Sequence, residues 1–265
     1  MRSVKSGGVL LGVAVLLDSV LSLKFTGNLT DDIIGITLAV VLSYLTALII
    51  RKVYKYTFGK AAVLPFILVA AVVTLFTFSD FAAKVMLGGT GLLLPFFSML
   101  ALALYLGVSE KKVLYKISAV TSVISAVLLT VIFSFSIRFM SIKYLLPYKT
   151  ADGSVLKTFV PLYLSLSLAF LILAVIGNSV REMLFSVSLF AGLFVLVAVN
   201  ALGIFGSELA STLSYPYATA ISTAATGEIF SRLDGFFYLI SFFCALIKTG
   251  AAVYVFKDTL SKIKP

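Results

Sequence analysis

Histidine and tryptophan are absent from this sequence, and cysteine occurs once, at Cys244. Without histidine there is no Ser/His/Asp triad, no Cys/His pair and no histidine-ligated zinc. One cysteine excludes an intramolecular disulfide. No spacing of side chains indicates a metal site, so we expect no catalytic residue, metal or cofactor.

Charged residues are also scarce, at 12% of the chain, whereas hydrophobic residues make up 61% and the mean hydropathy is +1.14. Ordinary globular domains are about 45–50% apolar and about 25% charged. This composition excludes a soluble enzyme, a disordered chain and a disulfide scaffold, and predicts an integral membrane protein. The net charge of +10 does not indicate nucleic-acid binding, because the basic residues are scattered through short loops between apolar runs.

Long apolar runs with almost no charge recur along the chain, each close to the ~20 residues that cross a bilayer as a helix. Backbone groups in hydrocarbon must be satisfied within the segment, so each run is expected to be helical. The prediction is an all-α polytopic membrane protein with about eight transmembrane helices in one domain over residues 1–265. The predicted spans are 7–23, 33–50, 61–78, 91–108, 117–137, 159–176, 184–205 and 236–256.

The orientation follows from the basic residues, which accumulate in cytoplasmic loops. The N-terminus, the even-numbered loops and the C-terminus carry 13 Lys and Arg, against 7 in the odd-numbered loops. Both termini are therefore expected in the cytoplasm. Arg2 and Lys5 before the first run also fit a signal peptide, but Asp18 interrupts the run and no small-x-small cleavage site follows, which favours a retained span.

Two ionisable residues, Asp18 and Lys248, lie deep within predicted spans, where a charge is costly unless it is paired or hydrated. Lys248 is twelve residues into the last span. Its side chain either snorkels toward the headgroups or faces an internal cavity, paired with a carboxylate such as Asp18 or Glu208. Asp80 and Lys84, four residues apart, fit a simple interfacial pair.

Helix-breaking and small polar residues within spans one and six are a second indication of a ligand-binding site. Transporters bind substrate near the midplane where two interrupted helices expose backbone groups. The alternative is that glycines serve only close helix packing. Thr77, at the end of span three, is a further residue that could line a cavity. The candidate ligand-binding residues are Gly12, Asp18, Thr77, Pro161, Ser165, Ser167 and Lys248.

The connection over residues 206–235 is long for a membrane protein with otherwise short loops. Two interpretations stay open. One is a functional, re-entrant or interfacial helix, and the other is a surface helix with turns.

From span seven onward, a series of motifs resembles the spore germination permeases. These are the membrane-embedded B subunits of nutrient germinant receptors, a family within the amino acid–polyamine–organocation superfamily. The best matches lie in the last third of the chain, and Leu145-Leu146-Pro147 is a supporting match upstream. The motif residues are Leu202-Gly203, Tyr215-Pro216, Gly227-Glu228, Arg232-Leu233-Asp234 and then an apolar span with Lys248.

The resemblance implies a leucine-transporter-like core that holds an amino acid or similar nutrient between helices one and six. It also implies partner subunits of the germinant receptor A and C type, in the inner membrane of a cell or spore. The sequence departs from the family in having Asp234 where the motif has glutamate and no tryptophan in the following helix. The chain ends after span eight, so the expected core lacks the last two helices.

The expected function is a permease-like membrane subunit that binds a nutrient. Two alternatives use the same residues: an ion-coupled secondary transporter of amino acids, and a structural assembly subunit in which polar residues only join helices. A membrane enzyme is not expected, because no two of the candidate carboxylates are placed as a close pair by helical spacing.

Overall fold

The computed structural model describes residues 6–89, 91–146, 153–224 and 233–263. These residues form nine α-helices, and no strand occurs among them. Helix α1 continues as a 3-10 turn over Asp18–Ser22, α3 continues as a π turn over Ala82–Met86, and two 3-10 turns follow α5. The helices are α1 Ser6–Leu17, α2 Leu29–Val53, α3 Thr57–Phe81, α4 Leu93–Val108, α5 Lys111–Ser136, α6 Leu156–Ile176, α7 Val180–Thr212, α8 Pro216–Ala224 and α9 Leu233–Ser261.

Six of these helices are long and apolar enough to cross a membrane: α2, α3, α5, α6, α7 and α9. The two shorter apolar helices are α1 with its 3-10 turn and α4. Large apolar side chains on the outer helices are exposed, including Ile49, Leu94 and Tyr105. Extensive apolar exposure of this kind marks a lipid-facing surface. The chain is a multi-pass helical membrane protein.

The centre of the bundle is formed by helices that are apolar on all sides. In α1 every residue from Leu11 to Leu17 is buried, and in α6 every residue from Ala169 to Ile176 is buried. A helix that is hydrophobic all round suits either the core of a bundle or a lipid-facing position, and the burial of α1 and α6 on all sides places these two in the core. Helix α1 packs against α5, α7 and α9, while α6 packs along α2.

Small residues let the helices approach closely, as is usual where the lipid supplies no hydrophobic drive for helix association. Along α2, Gly35, Ala39, Ser43 and Ala47 recur at every fourth position and are buried. On α1, a Cβ added at Gly12 would lie 2.1 Å from the Ser186 Oγ of α7.

Contacts between helix ends show that the eight helices α1 to α7 and α9 run in alternating directions, so their loops meet at two ends of the bundle. The N-terminal end is the end that contains Ser6, and there Asn178 Nδ2 donates to the Gly8 carbonyl over 2.9 Å. At the opposite end, Ser154 Oγ donates to Asp31 Oδ2 over 2.8 Å. Each of the eight predicted runs overlaps one of the helices α1–α7 and α9, and six of these eight helices are long and apolar enough to cross a membrane.

The connection after α7 contains the buried helix α8. Tyr217, Ala218, Ala220 and Ile221 are at most 2% exposed, and α8 packs against α5, α7 and α9. One face of α8 is therefore buried against the bundle, whereas Thr219 and Thr223 on its other face are exposed, and both interpretations of this connection stay open. A short helix inside a bundle is tolerated where neighbouring protein covers its backbone.

Candidate functional site

The core of the bundle contains an ion pair between α1 and α9. Lys248 Nζ donates to Asp18 Oδ2 over 2.8 Å, and the two side chains are 2% and 3% exposed. Lys248 is 15 residues after Leu233 and 13 before Ser261, about 22 Å and 20 Å along the helix. The pair therefore lies near the middle of α9, and the snorkelling interpretation of Lys248 is wrong.

Helix α6 completes the polar contacts of the ammonium group. Lys248 Nζ donates to Ser165 Oγ over 3.1 Å and to the Ser165 carbonyl over 3.4 Å. Ser165 Oγ in turn donates to Ser19 Oγ over 3.1 Å. An ammonium has three protons to donate, and these acceptors account for all of them. Asp18, Ser19, Ser165 and Lys248 form the site that we call the Asp18–Lys248 site.

Helix α1 changes character at this site. Its α-helical hydrogen-bonding pattern ends at Leu17, a 3-10 turn runs from Asp18 to Ser22, and the backbone becomes extended at Leu23. A 3-10 turn is common at the C-terminal end of an α-helix, and here it places Asp18 and Ser19 at the end of α1 inside the bundle. Asp18 Oδ1 is buried here without a hydrogen-bond partner among the described residues. A buried unsatisfied carboxylate oxygen is an exception that calls for a functional or structural reason.

The space beside the carboxylate is small. Asp18, Ser241 and Cys244 line a cavity of about 10 Å³ whose other walls are apolar. A single water needs about 10–15 Å³. The site is therefore closed in this conformation, and it has no room for a ligand of amino-acid size until the helices around it move.

A group of aromatic side chains covers the site toward the end opposite Ser6. The ring of Phe81 makes edge contacts with Tyr215 and Phe237, at centroid distances of 5.1 and 6.3 Å. The Tyr217 ring contacts the Phe237 ring at a centroid distance of 5.6 Å, and Phe237 also lines the cavity beside Asp18. We call Phe81, Tyr215, Tyr217 and Phe237 the aromatic cover.

Polar contacts fasten the aromatic cover at its outer edge. Tyr215 Oη donates to Asp80 Oδ2 over 2.6 Å, and Lys84 Nζ lies 2.8 Å from Asp80 Oδ1. Lys24 Nζ lies 4.9 Å from the centroid of the Tyr215 ring and donates to the Ser214 carbonyl. Burial, followed by the hydrogen bond to Asp80, raises the pKa of Tyr215 well above its ordinary value. Tyr215 is therefore a neutral hydrogen-bond donor at physiological pH.

A second polar cluster lies at the same end and was not predicted from the sequence. The side chains of Asp31 and Asp32 are fully buried at the start of α2. Asp32 Oδ1 accepts from Thr158 Oγ1 over 2.8 Å, and Asp32 Oδ2 accepts from Ser207 Oγ over 2.6 Å. These bonds join α2 to α6 and α7 next to Gly206, whose φ of +70° interrupts α7. The contacts satisfy Asp32 and indicate a structural clamp.

The other predicted ligand residues lie outside the Asp18–Lys248 site. Gly12 packs against α7, which matches the packing alternative for the glycines. Thr77 is half-buried on α3 and has no hydrogen bond to the ion pair. Ser167 is also half-buried, and its hydroxyl donates to the Leu164 carbonyl of its own helix.

The expected break in span six is absent, and this prediction is wrong. Helix α6 is continuous from Leu156 to Ile176, with Pro161 inside it. A proline removes one backbone bond, which membrane helices tolerate where neighbouring groups or small local adjustments compensate. Pro161 is in the second turn, so its effect falls near the helix start and leaves the backbone intact around Ser165. Only α1 contributes a change of helix type to the site.

Of the motif residues, Tyr215 and Pro216 begin the segment that carries α8, and Asp234 lies in the first turn of α9. The Asp234 Oδ1 atom accepts from the Gly235 amide over 2.8 Å. Glu228 and Arg232 lie outside the described residues. Within the described part of the chain, no group of three or more acidic, histidine or cysteine side chains is arranged to hold a metal ion.

No protein-family model matches this chain, and no curated protein matches it. The resemblance to spore germination permeases accordingly stays a prediction that depends on the motif residues alone.

Proposed function

We propose that this chain is a permease-like membrane protein that binds a small zwitterion, such as an amino acid, at the Asp18–Lys248 site. The observation that carries the proposal is the buried ion pair at the point where α1 changes from α-helix to 3-10 turn. Ionisable residues inside membrane segments are costly, and their usual role is functional.

The chemistry of the pair fits a zwitterion. The site is neutral overall, and a zwitterion is neutral too, so exchange of partners leaves no uncompensated charge in the core. The ligand carboxylate would pair with the Lys248 ammonium, and the ligand ammonium would pair with Asp18. Ser19 and Ser165 supply hydroxyls that donate or accept around these charges.

Access requires movement of the aromatic cover. The cover separates the site from the end opposite Ser6, and its outer edge depends on the single Tyr215–Asp80 hydrogen bond and the Lys24 contact. Together with the small cavity, this describes a closed conformation of a binding protein. Ligand entry would turn Tyr215 outward and enlarge the space beside Asp18.

The proposal extends to the family, the topology and the partners. In this proposal eight helices cross the membrane and both termini lie in the cytoplasm, as the apolar runs and the basic residues of the loops predict. The leucine-transporter-like core, the inner membrane and the germinant-receptor partners of the A and C type are what the resemblance implies. The alternating helix directions and the concentration of basic residues at the N-terminal end support this topology. The position of Tyr215-Pro216 at the entrance to the site supports a functional role for that motif.

The direct test is a thermal-stability titration of the purified protein with a panel of amino acids and nucleosides. A ligand that binds only the folded state raises the unfolding midpoint by mass action. The matched variant is Asp18→Asn with Lys248→Met, which removes both charges and leaves none unpaired. We expect a shift in wild type and none in the double variant. A flat response to the whole panel would contradict the proposal.

A second candidate, a structural assembly subunit, is favoured by the small size of the cavity beside Asp18. In that case the ion pair only holds α1 and α9 together, and the double variant matches wild type in every ligand assay.

If a ligand does stabilise the protein, its uptake into proteoliposomes separates a transporter from a sensor. A transporter accumulates the ligand above empty vesicles, whereas a sensor binds it without accumulation.

A further inference from the structure

A groove on the outside of the bundle runs between α5 and α9, separate from the Asp18–Lys248 site. Its volume is about 340 Å³, and apolar side chains form nearly all of its walls. Val120 and Ile124 on α5 and Leu239 on α9 are 61%, 48% and 48% exposed, so the groove opens toward the lipid. A surface of this kind accommodates a flexible apolar chain.

Among the described residues that line the groove, one is charged, and it lies at one end. Lys116 is exposed on the second turn of α5, at the N-terminal end of the bundle, and Lys112 is one turn away from it. Leu128 is the last α5 residue that lines the groove. It follows Lys116 by twelve residues, which correspond to about 18 Å of helix. This length is close to half of the ~30 Å hydrocarbon core of a bilayer.

A narrow apolar groove with a cation at its membrane-surface end has the shape and charge of an amphiphile with an anionic head. We propose that the groove binds one acyl chain of an anionic phospholipid, with the lipid phosphate beside Lys116. The basic character of this end of the bundle favours anionic headgroups, since each nearby Lys or Arg attracts them. A neutral lipid offers the same chain but lacks the net charge that Lys116 selects.

The bound chain would also contact the wall of the proposed ligand site. Ile240 lines the groove and also the small cavity beside Asp18. The lipid site nevertheless depends only on α5 and α9, so it is testable whether or not a zwitterion binds.

Because the sequence contains no tryptophan, one introduced tryptophan reports by its fluorescence on the lipid at that position alone. Val120→Trp introduces one tryptophan at the rim of the groove, and Val72→Trp introduces one at a lipid-exposed position of α3. Each protein is reconstituted in bilayers with a fixed fraction of brominated lipid, either phosphatidylglycerol or phosphatidylcholine with identical chains. Quenching of fluorescence then gives the relative affinity for the two lipids at each position.

We expect the Val120→Trp protein to prefer phosphatidylglycerol by about five-fold and the Val72→Trp protein to show a ratio near one. Lys116→Gln in the first protein should bring the ratio close to one. Lys55→Gln, which removes an exposed lysine from the α2–α3 loop at the same end, should leave it unchanged. Leu239→Trp reports the groove from α9 if Val120→Trp does not fold.

Two results would overturn the proposal. Equal quenching by both lipids at the groove shows a surface without headgroup selection. Weak quenching by either lipid, below that at the α3 position, shows a groove closed to acyl chains.

Discussion

Lys248 and Asp18 are 230 residues apart in sequence, and their charged groups meet at 2.8 Å in the core of the bundle. The pair joins the last long helix to the first. Helix α6 is joined to both through Ser165, whose hydroxyl contacts Lys248 and Ser19. One ion pair thus connects the three helices that are most deeply buried around the site.

The energetic role of the pair is testable by comparing single and double variants. Lys248→Met leaves the Asp18 carboxylate buried without a counter-charge, and we expect it to lower the free energy of unfolding by about 3–5 kcal/mol. Asp18→Asn combined with Lys248→Met removes both charges and should recover most of this loss. Chemical denaturation in detergent measures each value.

The exposed pair of Lys84 and Asp80 is the matched control, with side chains 57% and 37% exposed. Exposed ion pairs stabilise by less than about 1 kcal/mol, so Lys84→Met should have a small effect. Equal losses for the single and double variants at the core pair would contradict a coupled ion pair.

Alkylation of Cys244 reports whether the site opens to water. Cys244 is the only cysteine, is 1% exposed and lines the cavity beside Asp18. Tyr215→Phe keeps the ring but removes the hydrogen bond to Asp80, which is worth about 1.5–3 kcal/mol because its acceptor is charged. A water-soluble maleimide should therefore modify the variant about ten-fold faster or more, since 1.4 kcal/mol corresponds to ten-fold in opening.

The control is Tyr54→Phe. It removes a 2.8 Å hydrogen bond to Thr259 at the N-terminal end of the bundle, away from the aromatic cover. Its labelling rate should equal that of wild type. Rates that rise equally in both variants would indicate general loosening of the bundle.

Gly12 tests the close approach of α1 and α7. A Cβ at Gly12 would lie 2.1 Å from Ser186 Oγ, whose hydroxyl also donates to the Val9 carbonyl over 3.0 Å. Gly12→Ala should lower the free energy of unfolding by about 1–3 kcal/mol, the usual cost of overpacking. Gly192→Ala, on the same helix as Ser186 but with nothing within 4 Å of the added atom, should be neutral or stabilise by up to ~1 kcal/mol. Equal effects of the two substitutions would contradict the packing account.

The lysines at the edge of the aromatic cover repel each other. Burial first and the charge of Lys84 second hold the pKa of Lys24 below its ordinary value of 10.5. Lys84→Gln should raise the pKa of Lys24, because the repulsion that disfavours its ammonium form is removed. NMR titration of ¹³C-methylated lysines measures the change, with the Lys24 resonance assigned by its loss in Lys24→Arg.

The sign of the accompanying stability effect follows from the lowered pKa. Between the pKa of Lys24 in the folded protein and 10.5, the unfolded chain binds more protons than the folded one. The contribution of Lys24 to the free energy of unfolding therefore increases as the pH rises through that window. Lys55→Gln, at the other end of the bundle, is the control and should leave the Lys24 titration in place. An unchanged Lys24 pKa in Lys84→Gln would show that the two ammonium groups do not interact.

The helices themselves could be predicted from the sequence, because the backbone of an apolar run in lipid can satisfy its hydrogen bonds only by forming a helix. Their ends were less predictable. Helix α2 begins at Leu29 instead of residue 33, because the Asn28 side chain caps it by accepting from the Thr30 amide over 3.0 Å. Asp31 and Asp32 therefore lie in the first turn of α2, outside the predicted span 33–50. Asparagine followed by two acidic residues is the signal of a helix start that locates them in the first turns.

The site could be predicted only in part. The depth of Lys248 in an apolar run leaves open whether its side chain snorkels or is paired inside the bundle. The choice of Asp18 rather than Glu208 as its partner depends on how α1 and α9 pack. Pro161 suggested a break that the intact α6 does not have. The contribution of Tyr217 depends on the burial of α8, and local sequence does not distinguish a buried nine-residue helix from a surface one.

The most direct measurement of the central claim is the distance between Lys248 Nζ and the Asp18 carboxyl carbon by solid-state NMR in lipid. It should be taken without ligand and with the amino acid that stabilises the protein most. The account predicts direct contact without ligand and a clear increase with it, as each charge turns to the opposite charge of the zwitterion. An unchanged distance in the presence of a bound amino acid would contradict the proposed site.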